Sequence, residues 1–96
     1  MSESNHTIKH NEAKQRYEIS VDGREAGYCS YVPRPGGVLD FNHTVVDQAF
    51  RGQGLSSPLI RAALDDARAN GSKVIPSCSA VQHFIGKNEE YADLVA

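Results

Sequence analysis

Apolar and polar residues alternate from Arg16 to Val21, with Tyr17, Ile19 and Val21 on one side and Arg16, Glu18 and Ser20 on the other. That period of two predicts a half-buried strand. Asp22-Gly23 follows, a pair that tolerates the positive φ angles of a type I′ turn, so a hairpin is expected there. The chain returns over Ala26 to Val32, with Tyr28 and Val32 facing one way and Cys29 and Tyr31 the other. Pro33-Arg34-Pro35-Gly36-Gly37 is expected to stop this strand. Upstream, Thr7 to Asn11 reads as a short edge strand around Ile8, and Met1 to His6, polar and without period, as a frayed terminus.

The pattern changes in Val38 to Asp47. Leu39, Phe41, His43 and Val45 share one parity, and Val38, Asp40, Asn42, Thr44 and Val46 the other. The first half is one-sided, whereas Val45-Val46 is apolar on both faces, which predicts a strand buried on both sides at its C-terminal end. A glycine loop comes next, and then the period becomes helical. Leu59, Ile60, Ala63, Leu64 and Ala67 form the core-facing stripe of a helix over Pro58 to Asn70, with an Arg61–Asp65 pair on its outer face. Ser56 and Ser57 are its N-cap candidates, Pro58 suits its first position, and Gly71 is its stop. Val74-Ile75, closed by Pro76, reads as a short buried strand, parallel to its predecessor because strand–helix–strand units cross over in parallel. Ala80, Val81, Phe84 and Ile85 predict a second, shorter helix ending at Gly86, and Tyr91, Leu94 and Val95 anchor the tail. The fold class is α+β: a mixed, mostly antiparallel sheet with one βαβ crossover and a C-terminal helix. With no repeat or linker, the chain is expected to form a single domain over 1–96.

Composition narrows the possible functions. A net charge of −2, with basic residues scattered singly, lacks the basic stripe of a nucleic-acid binder, so no nucleic-acid partner is expected. No apolar run is long enough to span a membrane and the start is too polar for a signal peptide. A cytoplasmic location is therefore expected, with Cys29 and Cys78 as free thiols. His6, His10, His43 and His83 show no metal-ligand spacing with the cysteines, and no metal is expected.

The chemistry centres on Arg51-Gly52-Gln53-Gly54-Leu55-Ser56-Ser57. Two glycines one residue apart let the backbone fold tightly and present N–H groups to a ligand, and the helix that follows adds the positive end of its dipole. Such a loop suits phosphate. It has neither the Lys-Ser or Lys-Thr pair of a nucleoside triphosphatase loop nor the three glycines of a dinucleotide fold. The stretch resembles the acyl-CoA pyrophosphate loop of the GNAT superfamily of N-acetyltransferases: Arg or Gln, two residues, Gly, one residue, then Gly or Ala. Arg51 and Gly54 match, and Ser56 departs from the last position with another small residue. Asn42-His43-Thr44-Val45-Val46 before the loop and Ile75-Pro76-Ser77-Cys78-Ser79-Ala80-Val81 after it extend the resemblance, as does Tyr91-Ala92-Asp93-Leu94. The whole is similar to a minimal GNAT domain of the very small kind.

The resemblance implies acetyl-CoA as cosubstrate and an amine as acceptor; a monomer or weak dimer is expected. The cosubstrate's pantetheine arm would pair with the backbone of Val45, Val46 and Asp47, and its pyrophosphate would lie on Arg51, Gly52, Gln53, Gly54, Leu55, Ser56 and Ser57. Cys78, at a strand end and a helix start, is either a nucleophile, an acid toward the leaving thiolate, or a small corner-filling residue. His43 is either the base that takes the amine proton or a hydrogen-bonded core residue. His83 should be exposed, Tyr91 is an acid or an anchoring ring, and Cys29 is packing. Asp47 is the only carboxylate that the sequence places near the mouth. That shortage of bases keeps open an alternative, a non-catalytic acyl-CoA-binding or sensing module.

Overall fold

The hairpin pattern and the crossover combine in a computed structural model that describes residues 6–96. One sheet holds β1 (His6–Asn11), β2 (Arg16–Val21), β3 (Arg24–Arg34), β4 (Val38–Val46) and β5 (Lys73–Pro76) in chain order. The first four strands pair antiparallel and β5 joins β4 in parallel, with α1 (Ser56–Ala69) as the crossover. α2 (Ser79–Lys87) and a 3-10 turn over Glu89–Leu94 finish the chain. The frayed terminus expected for Met1 to His6 lies outside the described residues except for His6, which opens β1.

The turn between β2 and β3 is of the predicted kind, because Asp22 and Gly23 both have positive φ, 50° and 83°. Tyr17, Ile19, Cys29, Tyr31, Phe41 and Val74 line one face of the sheet and are buried under the helices. α1 sets Leu59, Ile60, Ala63, Leu64 and Ala67 against them, as the periodicity predicts. Each large aliphatic among these contributes about 1.5–3 kcal/mol by leaving water. A Schellman motif ends the helix: the Ser72 N–H donates to the Ala67 carbonyl at 2.9 Å, with Gly71 at φ 72°.

Several expectations are corrected. β3 continues through Pro33 to Arg34, and the chain turns only at Pro35-Gly36-Gly37. α1 begins at Ser56 behind Leu55, with no side-chain cap, so neither serine caps it and Pro58 stands at the third helical position. Pro58 is tolerated there because N–H groups of the first turn have no intrahelical partner. Arg61 and Asp65 do not pair with each other. The Tyr91 hydroxyl stands between them, donating to Asp65 at 2.6 Å and accepting from Arg61 at 3.1 Å. α2 runs one residue past Gly86, and Ile75 and Val95 are exposed rather than buried, because both helices cover the other face of the sheet.

The correction with most bearing on function is in β4. Ser30 pairs with His43 while its neighbour Tyr31 pairs with Phe41, so Asn42 is an extra residue, a β-bulge. A bulge reverses the alternation beyond it. Thr44, not His43, therefore shares the helix-covered face with Phe41, while His43 and Val45 point to the open face. The end of β4 is thus not buried on both sides: Val45 is 41% exposed.

Candidate functional site

Parallel pairing of β4 with β5 covers only Val38 to Phe41, against Lys73 to Pro76. β5 ends there, at Pro76, and the Asn42–Val46 half of β4 has no β5 partner. One further bond closes the head of the notch that this leaves, from the Cys78 N–H to the Phe41 carbonyl at 2.9 Å. The strand end, the bulge and the start of α2 therefore meet at Cys78.

Cys78 is the N-cap residue of α2 and half-buried. Its thiol donates to the Thr44 hydroxyl at 3.5 Å. Burial pushes the thiol pKa up, but the Thr44 hydroxyl and the backbone N–H groups of Val81, Ala80 and Thr44 together outweigh it and hold the pKa below the ordinary thiol value. Cys29 behaves oppositely: burial raises its pKa to about 11. It accepts a hydrogen bond from Thr44 at 3.5 Å. Both cysteines are free thiols. They flank β4 from opposite sides, so their Cα atoms are about two strand spacings apart, roughly 9–10 Å, too far for a disulfide.

The loop carrying Cys78 is also held from the open face of the sheet. Ser77 donates its hydroxyl to Asp40 at 2.6 Å, and Arg34 adds a 3.1 Å ion pair to the same carboxylate. The Ser77 hydrogen bond, opposed by burial and helped by Arg34, holds the Asp40 carboxyl below its ordinary range. A depressed carboxyl contributes stability above its unfolded value of about 4 and loses it as pH falls through the lower folded value. Asp40→Asn should therefore lower the melting midpoint at pH 7, and the gap to the parent should close as the pH is taken below about 4. A gap that stays constant down to pH 2 in thermal melts would show that the carboxylate charge does not hold the loop.

At the open end of the notch, a short 3-10 helix (Gln48–Phe50) leads into the glycine loop. Asp47 caps it, its carboxylate accepting from the Ala49 N–H at 2.9 Å. Gly52 and Gly54 both adopt positive φ, 88° and 68°, which side chains resist. Val46, Phe50, Arg51, Gly52, Gly54, Leu55 and Ser56 line a groove of about 380 Å³ here. The uncapped start of α1 opens beside it. Loop and helix start meet the unpaired edge of β4 at Val46, and two residues back Thr44 contacts Cys78, so the strand makes a track between the groove and the thiol.

The structure does not join the other candidates to that track in the same way. His43 is exposed on the open face, opposite Ser30. His83 is exposed on α2, beside a cavity of about 170 Å³ that Ser56, Ser57 and Lys87 also line. Tyr91 is 4% exposed and its hydroxyl is committed to Asp65 and Arg61, so it is an anchor. Burial and Asp65 raise its pKa, which makes it a weaker acid still. Thr44 and Asp40, neither of them a candidate site residue from the sequence, are side chains that grip the Cys78 loop. Among the described residues no group of three or more His, Cys, Asp or Glu gathers as a metal site, and no helix is long and apolar enough to cross a membrane.

Comparison with known proteins agrees with this architecture. The family model of GCN5-related N-acetyl-transferases matches residues 16–94. The chain is 26% identical over 84 residues to the protein NATD1 of Mus musculus, covering 84% of this chain and 74% of that one. Protein NATD1 of Gallus gallus is likewise 26% identical, over the same share of each. Among solved structures, a GCN5-like protein from Staphylococcus aureus superposes with a TM-score of 0.72 at 27% identity, over 94% of this chain and 87% of the other. A GNAT-family structure from Desulfovibrio desulfuricans superposes with a TM-score of 0.53 at 26% identity, over 68% of this chain and 44% of its own length. With a short parallel β5 beside the longer β4, a glycine loop feeding a helix and a family model matched over residues 16–94, the protein belongs to the GCN5-related N-acetyltransferase family.

Proposed function

We propose that this chain transfers the acetyl group of acetyl-CoA to an amine. The observation that carries the reading is the track from the glycine loop along the unpaired edge of β4 to a half-buried thiol with a depressed pKa. The unpartnered edge of β4 at Val45 and Val46 suits an added, strand-like pantetheine arm, whereas the Asp47 N–H and carbonyl are already engaged by Ala26 and Phe50; the N–H groups of Gly52, Gln53, Gly54, Leu55, Ser56 and Ser57 suit a pyrophosphate. Arg51, exposed at the groove, supplies a charge-assisted contact. A thioester carried along this track ends near Cys78.

Cys78 then has two possible roles. As nucleophile its sulfur attacks the thioester carbonyl, the bond to the coenzyme sulfur breaks, and the amine later takes the acetyl group and frees Cys78. As acid it gives its proton to the departing coenzyme thiolate while the amine attacks directly. His43, on the open face, is the proposed acceptor of the amine proton when the amine approaches from that side.

Acetyl-CoA at about a hundred times its dissociation constant should stabilise the fold by roughly 2.7 kcal/mol, which raises the melting midpoint by on the order of 10 °C in so small a domain. Thermal melts without any shift at millimolar acetyl-CoA would remove the cosubstrate from the proposal. One observation favours a second reading, a non-catalytic acyl-CoA-binding module: the groups that bear on the Cys78 sulfur are a hydroxyl and backbone N–H groups, and among the described residues no carboxylate or imidazole is bonded to it. Release of free thiol from acetyl-CoA in the presence of an amine panel, faster than in buffer, separates the enzyme from the binder.

A further inference from the structure

The side chains around Thr44 form a chain of hydrogen bonds with a direction. The Cys78 thiol donates to Thr44 Oγ1 and Thr44 donates to Cys29 Sγ, each at 3.5 Å. Cys29 is 0% exposed and sits on β3 directly opposite Thr44, so the chain runs from the notch into the core. A threonine hydroxyl has one proton and can point it either way. If Cys78 loses its proton, the bond it donated no longer exists, and a hydroxyl still aimed at Cys29 would leave the new anion with its N–H neighbours alone.

We infer that Thr44 is a positioning residue for Cys78, acting with Cys29 as a reversible relay: on ionisation of Cys78 the chain flips, so that the Cys29 thiol donates to Thr44 and Thr44 donates to the Cys78 sulfur. The relay needs a terminal thiol that keeps its proton, and the buried Cys29 is that group. The proton count balances, since Cys78 gives one proton to solvent or to a leaving group and the other two protons only change partners. The remaining neighbours of the sulfur are the N–H groups of Ala80 and Val81 from α2 and the Thr44 N–H from β4; the titratable one is Cys29. The bulge at Asn42 makes the relay possible, because without it His43 would occupy this face and Thr44 the other. Cys29, on this view, is more than packing. The inference rests on Cys78 being the reactive group of the proposed transferase, but its test does not depend on acetyl transfer.

The test is the rate of iodoacetamide alkylation of Cys78 in the full chain from pH 6 to 10, read by peptide mass spectrometry. Thr44→Val keeps shape and removes the hydroxyl; Cys78 should alkylate about tenfold more slowly at neutral pH, with the midpoint of the profile moved up by about one unit. Thr44→Ser should restore the parent profile to within about twofold. Cys29→Ala, which removes the end of the relay, should slow alkylation by a few-fold. If Thr44→Val does not fold, Cys29→Ala carries the test, and a Cys29→Ala profile that superposes on the parent overturns the relay. A Thr44→Val protein that folds and reacts like the parent overturns it equally. Loss of the acetyl-CoA thermal shift in the parent would instead strike the transferase reading, leaving these profiles to stand by themselves.

Discussion

Replacing Gly54 by valine should leave a folded protein that no longer binds acetyl-CoA. The backbone at Gly54 has φ 68°, and an added Cβ would meet no atom within 4 Å, so the ligand-free fold has room for a side chain. The penalty is conformational. An L-residue in this region costs about 1–2 kcal/mol, and a β-branched one more, so the loop relieves itself by rotating toward negative φ. That rotation turns the N–H groups around Gly54 and Leu55 away from the groove. An anion site built from several convergent N–H groups loses its geometry when one or two leave. The expected result is a melt within a few degrees of the parent and no shift with acetyl-CoA, whereas a full shift would reduce the loop to a turn.

Cys78→Ala should retain cosubstrate binding and lose acetyl transfer by a factor in the hundreds, the range associated with removing a positioned acid or nucleophile. Binding survives because the track is mostly backbone. Cys78→Ser separates chemistry from shape, since serine nearly preserves the volume but is a far poorer nucleophile and acid at neutral pH. The two thiols give an internal control. Cys29, at a pKa of about 11 and fully buried, should stay unlabelled at neutral pH while Cys78 reacts with iodoacetamide, and acetyl-CoA should protect Cys78. Parent rates of transfer in both variants would make Cys78 a corner-filling residue and pass the proton transfer to His43 or to a water held by the backbone.

Much of the fold was legible because its signals are local. Period-two alternation around Ile19, the Asp22-Gly23 turn, the stripe from Leu59 to Ala67 and the stop at Gly71 each follow from a few consecutive residues. What the sequence hid depends on distant partners. The alternation through Phe41 and Val45 reads smoothly, yet one extra residue at Asn42 reverses it, and nothing in the string Phe-Asn-His-Thr marks which residue is extra. His43 therefore faces the open side of the sheet, and Thr44, which the sequence offers only as part of a longer stretch, faces Cys78. Arg61 and Asp65 have ideal helical spacing, but a tyrosine from the tail offers each a better partner. Asp40 was one polar residue among several until Ser77, 37 positions later, was seen to donate to it.

The end of β5 opposite Phe41 also has a consequence for solubility. Because β5 is the last strand and stops opposite Phe41, the stretch of β4 from Asn42 to Val46 becomes an open edge of the sheet. Unpaired strand edges recruit other strands and are sites of self-association. Here the edge is five residues long, Pro76 stands at its head without an N–H to template pairing, and α2 begins immediately beyond Cys78. These features admit a narrow, extended guest more readily than a second polypeptide. Filling that edge with ligand would then protect the protein against aggregation during purification and storage.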